Sequence, residues 1–121
     1  MGASRQRGWR LARVRGRSML PTLREGDLLL VHLVHQGRSP GPGQVVVALL
    51  PGGRGLGVKR VRRIEAQGYW LEGDNPHEGT DSRVFGPVPA QHIRARVVAR
   101  VWPRPAPLGQ GHSSAGTARY R

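Results

Sequence analysis

The chain has 121 residues, with 20 Lys or Arg against 7 Asp or Glu, a net charge of +13. That length fits a single domain, and 18 Gly with 10 Pro argue against long helices and for short strands joined by turns. The absence of Cys excludes disulfides, thiolate metal sites and a cysteine nucleophile. No apolar run approaches the ~18 residues of a membrane span, and residues 1–17 are basic and polar without the apolar stretch of a signal peptide, so a soluble, cytoplasmic protein is expected.

Net charge of this size ordinarily points to nucleic acid or another anionic surface. Its distribution weakens that reading: nine of the basic residues are arginines at 1–17 and 103–121, where there is no acid, and the centre of the chain is only mildly basic. Nineteen of the twenty basic residues are Arg, and the single Lys is Lys59. An Arg stays protonated at any ordinary pH, whereas a buried Lys can lose its proton.

Taken in chain order, residues 1–12 read as a basic flexible terminus with Trp9 and Leu11 as its only large apolar anchors, 13–102 as the folded domain, and 103–121 as a disordered Pro/Gly/Ser-rich tail. Within the domain, the apolar runs 27–34 and 44–50 are strands, the second following the Pro-Gly turn at 39–43. A third strand, 57–64, alternates Val58, Arg60, Arg62 and Ile64 against Lys59, Val61 and Arg63; 69–72 is a short fourth. Along 93–102, Ile93, Ala95, Val97, Ala99 and Val101 are expected on one face and Arg94, Arg96 and Arg100 on the other. The whole is an all-β domain of about five to seven strands, with a short helical turn after Ser18.

Three segments could carry chemistry. In the first, Gly16-Arg17-Ser18-Met19-Leu20-Pro21-Thr22-Leu23, glycine permits an unusual backbone and proline stiffens the chain. That presents the Ser18 hydroxyl and N–H on a rigid bend, where a nucleophile and an oxyanion donor could coincide; the plainer reading is a helix-capping Ser. The second, Val58-Lys59-Arg60-Val61, is either a solvated basic strand or the seat of a neutral general base. An ordinary Lys is neutral in only about one molecule in 2,500 at pH 7, so the second reading demands an apolar wall, for which Val58, Val61, Met19 and Phe85 are candidates. The third, Gly73-Asp74-Asn75 through Asp81-Ser82-Arg83-Val84-Phe85-Gly86-Pro87-Val88, is a polar loop in which Asp81 and Arg83 can pair. Its acidic spacing does not match a calcium loop. His32, His35, His77, His92 and His112 show no ligand spacing, and the glycines of 51–57 lack the Gly-Lys-Ser/Thr ending of a phosphate loop.

In this order the three segments resemble the successive sequence boxes of the signal peptidase I family. The resemblance implies a Ser-Lys serine endopeptidase on a compact all-β, signal-peptidase-like and LexA-like domain. It makes Ser18 the nucleophile, whose backbone N–H forms part of the oxyanion hole, and Lys59 the base. Gly16, Met19 and Thr80 become active-site support, and Asp74, Asn75, Asp81, Ser82 and Arg83 the bracing loop. Two features depart from the family: no membrane anchor precedes Ser18, and Gly79 stands where a Lys-orienting Ser is common, leaving Thr80 as its substitute. Short, Arg-rich members resemble the proteases that mature nickel-type superoxide dismutase, so the expected substrate is a precursor whose N-terminal propeptide binds in extended form. No metal, cofactor or nucleic acid is expected. The competing reading is a small basic β-barrel that binds nucleic acid. A self-cleaving regulator of the LexA type shares the dyad but requires a cleavable segment and a DNA-binding domain before Ser18.

Overall fold

The computed structural model describes residues 7–108. The expectations for residues 1–6 and 109–121 lie outside the described residues. Seven strands form a single antiparallel sheet: β1 (Trp9–Arg13), β2 (Leu28–Leu33), β3 (Val45–Leu50), β4 (Gly55–Glu65), β5 (Gly68–Glu72), β6 (Ile93–Trp102) and β7 (Ala106–Pro107), ordered β1-β2-β6-β3-β4-β5 with β7 beside β6. One short helix, α1 (Ser82–Phe85), and two 3-10 turns at Val34–Gln36 and Ala90–His92 complete the described elements. The all-β expectation holds.

Two boundaries differ from the sequence reading. Residues 9–12 belong to β1, because Trp9 to Arg13 pair residue for residue with His32 to Leu28. Ala106–Pro107 pairs with Ala99 and Arg100, and Leu108 packs against the core, so the domain runs past residue 102. The segment after Ser18 is a turn closed by a bond from the Leu23 N–H to the Met19 carbonyl (3.0 Å), without a helix.

The core is double because the sheet buries apolar side chains on both faces. Neighbours Val45 and Val46 in β3 point to opposite faces and enter different clusters. Val45 joins Val14, Met19, Leu23, Leu29, Val31, Ala95 and Val97. Val46 joins Ala48, Leu50, Val61, Tyr69, Leu71, Val88 and Ile93.

Bulges decide which residue faces which cluster, since one extra residue inverts the alternation that follows. In β6 the register to β3 slips beside Val47 and Ala48, giving Ile93 to one cluster and Ala95 to the other. Two further slips against β2 break the expected alternation beyond Val97. Val101 is exposed there, and Arg100, expected outside, turns in beside Asp27 with 19% of its side chain exposed.

Candidate active site

β1 and β2 are joined by residues 14–27, the loop that carries Ser18. Its base is tied by Val14 N–H to the Asp27 carbonyl (2.9 Å) and Gly26 N–H to the Val14 carbonyl (2.8 Å). Gly16 adopts φ +80°, a conformation side-chain-bearing residues rarely take. Met19 and Leu23 are wholly buried and pin the turn to the core. Met19 therefore anchors the turn by packing. Ser18, between them and solvent, is partly buried. Its carbonyl accepts the Asn75 N–H at 2.9 Å, and its own N–H has no partner among the described residues.

Lys59 lies mid-strand in β4, opposite Val46. It is 4% exposed, one of four buried polar or charged residues among those described. Register places it on the face of Val46 and Val61, the cluster against which Phe85 packs. Val58 alternates to the other face and, with Met19, belongs to the other cluster. Strand parity thus puts Lys59 on the side of Val46 and Val61, whose cluster Phe85 also joins, whereas Val58 and Met19 pack in the other cluster. Burial is the largest influence on the amine and lowers its pKa from the ordinary Lys value. Asp81 opposes this, Arg83 adds to it, and Glu78 opposes it weakly.

The loop after β5 connects the two. Gly73 packs so closely on the serine turn that an added Cβ would lie 2.5 Å from the Ser18 carbonyl oxygen and 3.2 Å from the Ser18 Cβ. The Asn75 side-chain amide donates to the Arg17 carbonyl at 2.9 Å. Asp74 accepts from the Thr22 hydroxyl (2.6 Å) and from two nitrogens of Arg60 (2.8 and 2.7 Å), clasping the serine turn to β4.

Asp81 is fully buried. Its carboxylate accepts the Gly73 N–H (2.9 Å), the Arg83 N–H (3.1 Å) and a two-pronged grip from the Arg83 guanidinium (3.0 and 2.6 Å). Burial pushes the Asp81 pKa up, but the bonds from Arg83 and Gly73 outweigh it and hold the carboxyl below its ordinary value. The buried Ser82 hydroxyl accepts the Leu71 N–H (2.8 Å), fastening α1 to β5.

The three segments far apart in sequence therefore converge through Gly73, Asp74 and Asn75. Thr80 is exposed, and among the described residues no hydrogen bond joins Lys59 to Thr80 or to Ser18. The sequence reading did not assign roles to Thr22, Arg60, Gly73 and Glu78. Thr22 and Arg60 lie inside two of the quoted segments, but only the fold reveals their common partner, Asp74.

With this geometry in view, residues 3–98 match the Peptidase S24-like family, and the chain belongs to it. The class defined by fold and match is a peptidase with a signal-peptidase-like domain. The chain is 36% identical to the mitochondrial ATP-independent inner membrane protease subunit 1a of Arabidopsis thaliana, over 74% of this chain and 68% of that protein. It is 37% identical to the mitochondrial inner membrane protease subunit 1 of Xenopus tropicalis, over 73% and 66%. With the same-named subunit of Schizosaccharomyces pombe it shares 36% identity, over 74% and 71%. The alignments thus cover about two thirds of the length of these relatives.

These names overturn the expectation of a cytoplasmic protein, since the relatives are proteases of a membrane. Among the described residues no helix is long and apolar enough to cross one.

Proposed function

We propose that the chain is a serine endopeptidase in which Ser18 is the nucleophile and Lys59 the general base. The observation that carries this reading is the burial of the chain's only Lys, its charge disfavoured, on a strand clasped to the loop that packs against Ser18. Neutral Lys59 takes the Ser18 proton as the hydroxyl attacks the scissile carbonyl. The resulting ammonium then protonates the leaving amine, and water, deprotonated by Lys59, releases the acyl group. The unengaged Ser18 N–H is available to the oxyanion. Hydrogen bonds of this kind commonly tighten only once substrate is bound.

The substrate seat is a groove of about 220 Å³ between β1 and β4, lined by Ala12, Arg13, Arg15, Leu56, Gly57 and Val58 among others. Both walls offer free strand edges. Among the described residues β1 pairs with β2 alone, and β5 covers β4 from Arg60 onward, leaving the first half of β4 open on that side. An extended segment entering between them would gain main-chain hydrogen bonds on both sides. Such a segment suits a precursor cut near its N-terminus. The relatives are inner membrane proteases by name, which supports a reading in which this chain also works at a membrane. The narrower substrate, a nickel-type superoxide dismutase precursor, rests on the overall similarity to short, Arg-rich members of the family.

The test is processing of two precursors, a membrane-tethered one and a nickel-type superoxide dismutase one, with N-terminal sequencing of the products. Ser18→Ala and Lys59→Ala should each abolish cleavage while cooperative unfolding persists. Full activity in Lys59→Arg would overturn the mechanism, because a guanidinium cannot serve as the base.

A further inference from the structure

A second concavity, of about 150 Å³, adjoins the serine turn, with Thr22, Arg24, Asp27, Arg100, Pro103 and Arg104 among its lining residues. It far exceeds the ~10–15 Å³ that admits one water. Three guanidinium groups border it, against one carboxylate that is already engaged. Asp27 is buried, accepts the Arg24 N–H at 2.9 Å and lies 3.7 Å from an Arg100 nitrogen.

The arginines retain unused donors. Arg100 spends Nε on the Arg104 carbonyl (2.6 Å) and Nη1 on the Thr22 carbonyl (3.1 Å), and its Nη2 has no partner among the described residues. The guanidinium groups of Arg24 and Arg104 likewise bond to no described residue. Of the other acids, Glu65, Glu72, Asp74, Glu78 and Asp81 belong to β4, β5 and the loop beyond them. Glu25, in the same turn as Arg24, is exposed and does not line the concavity.

We propose that this concavity is a binding site for a phosphate-type oxyanion. Arg forks match tetrahedral oxyanions by paired, charge-assisted hydrogen bonds, and a bound anion relieves the repulsion among three clustered cations. The ligand can be free phosphate or the headgroup of an anionic phospholipid. Trp102, 56% exposed, directly precedes the lining residue Pro103 in the chain and would meet the apolar border of a lipid surface. The site is coupled to the serine turn. Arg100 holds the Thr22 carbonyl while the Thr22 hydroxyl holds Asp74, so an anion that fixes Arg100 stiffens that turn.

The experiment is thermal unfolding of the full chain in sodium phosphate and in sodium chloride at matched ionic strength. It is paired with co-sedimentation on phosphatidylglycerol and on phosphatidylcholine vesicles. A binder of the folded state raises the melting temperature progressively with concentration. Phosphate should therefore raise it above chloride, and the double variant Arg24→Gln/Arg104→Gln should lose the gain. Both side chains are exposed, and their backbone bonds to Asp27 and Arg100 survive the change. Arg62→Gln/Arg94→Gln, exposed arginines elsewhere, should keep it. A response to free phosphate assigns that source. Binding only to phosphatidylglycerol vesicles, lost in the double variant, assigns the headgroup. Absence of both responses, or their persistence in the double variant, overturns the site. No readout depends on proteolysis, so failure of the peptidase mechanism would leave this result intact.

Discussion

Gly73 gives the sharpest test of how the serine is positioned. In Gly73→Ala the new Cβ would stand 2.5 Å from the Ser18 carbonyl oxygen, about 0.9 Å inside the 3.4 Å at which ordinary contact begins. The obstacle is backbone, so no rotamer change relieves it. The serine turn and the 73–75 segment must separate by most of that distance, which strains the Asn75 N–H bond to the same oxygen. Overpacking of this kind destabilises by about 1–3 kcal/mol. A misplacement near 1 Å at a reacting group can cost ~10²-fold in rate. Urea denaturation should show the first and steady-state cleavage of a peptide the second, with kcat falling far more than KM rises. Gly79→Ala is the matched control six residues on, where a Cβ meets nothing within 4 Å, and it should change neither quantity. A Gly73→Ala enzyme with kcat within twofold of the parent would refute the claim that this contact positions Ser18.

Lys59 should leave its mark on stability as well as on rate. Its folded pKa is below the ordinary value, so between the two the unfolded chain holds a proton that the folded chain lacks. Stability should therefore rise with pH across that interval, by up to about 1.4 kcal/mol per pH unit. In Lys59→Met the rise should vanish, as denaturation across the alkaline range would show. The kcat/KM of the parent should climb through the same pKa, and a flat profile from pH 5 to 9 would count against Lys59 as the base. Arg83→Gln removes two charge-assisted bonds from a fully buried carboxylate. Each such bond is worth ~1.5–3 kcal/mol, and the half-exposed Arg83 end places the loss near the lower figure. Asp81 titrates low in the parent, so its contribution is present above the ordinary carboxylate pKa and fades as pH falls through the folded one. In Arg83→Gln the folded pKa moves back toward the ordinary value, so that acid-side loss should be smaller and complete at higher pH, measurable by acid denaturation.

Strand positions were legible because apolar runs and alternation report burial directly: the runs read at 27–34, 44–50, 69–72 and 93–102 became β2, β3, β5 and β6 within a residue or so. The failures trace to long-range pairing. Residues 9–12 carry little that looks buried, and they join the sheet because β2 presents an edge with matching register. Bulges are equally silent in sequence. Nothing local says that the alternation of β6 breaks after Val97, yet that break turns Arg100 toward Asp27 and builds the concavity described above. At the site, the pairing of Asp81 with Arg83 could be read from their spacing, because it is local. The clasp of Thr22 and Arg60 on Asp74 spans 52 and 14 residues and exists only once β4 and the serine turn are brought together. The same is true of the face that Lys59 occupies, where strand parity, fixed by pairing with β3, puts it with Val46 and Val61 and not with Val58.

The electrostatics around Lys59 give Arg83 a second consequence. The buried amine has a carboxylate neighbour in Asp81, which by itself would hold the proton on Lys59. Arg83 takes up that carboxylate through both prongs and adds a positive charge that also disfavours the ammonium. Arg83→Gln should thus release Asp81 to Lys59 and remove the repulsion at once, and both changes raise the Lys59 pKa. If Arg83 merely braced the loop, the variant would lose activity by the same factor at every pH. If it also tunes the amine, the rising limb of kcat/KM should move to higher pH and activity should recover on the alkaline side. A profile lowered in height but unmoved along the pH axis would leave Arg83 as a brace and nothing more.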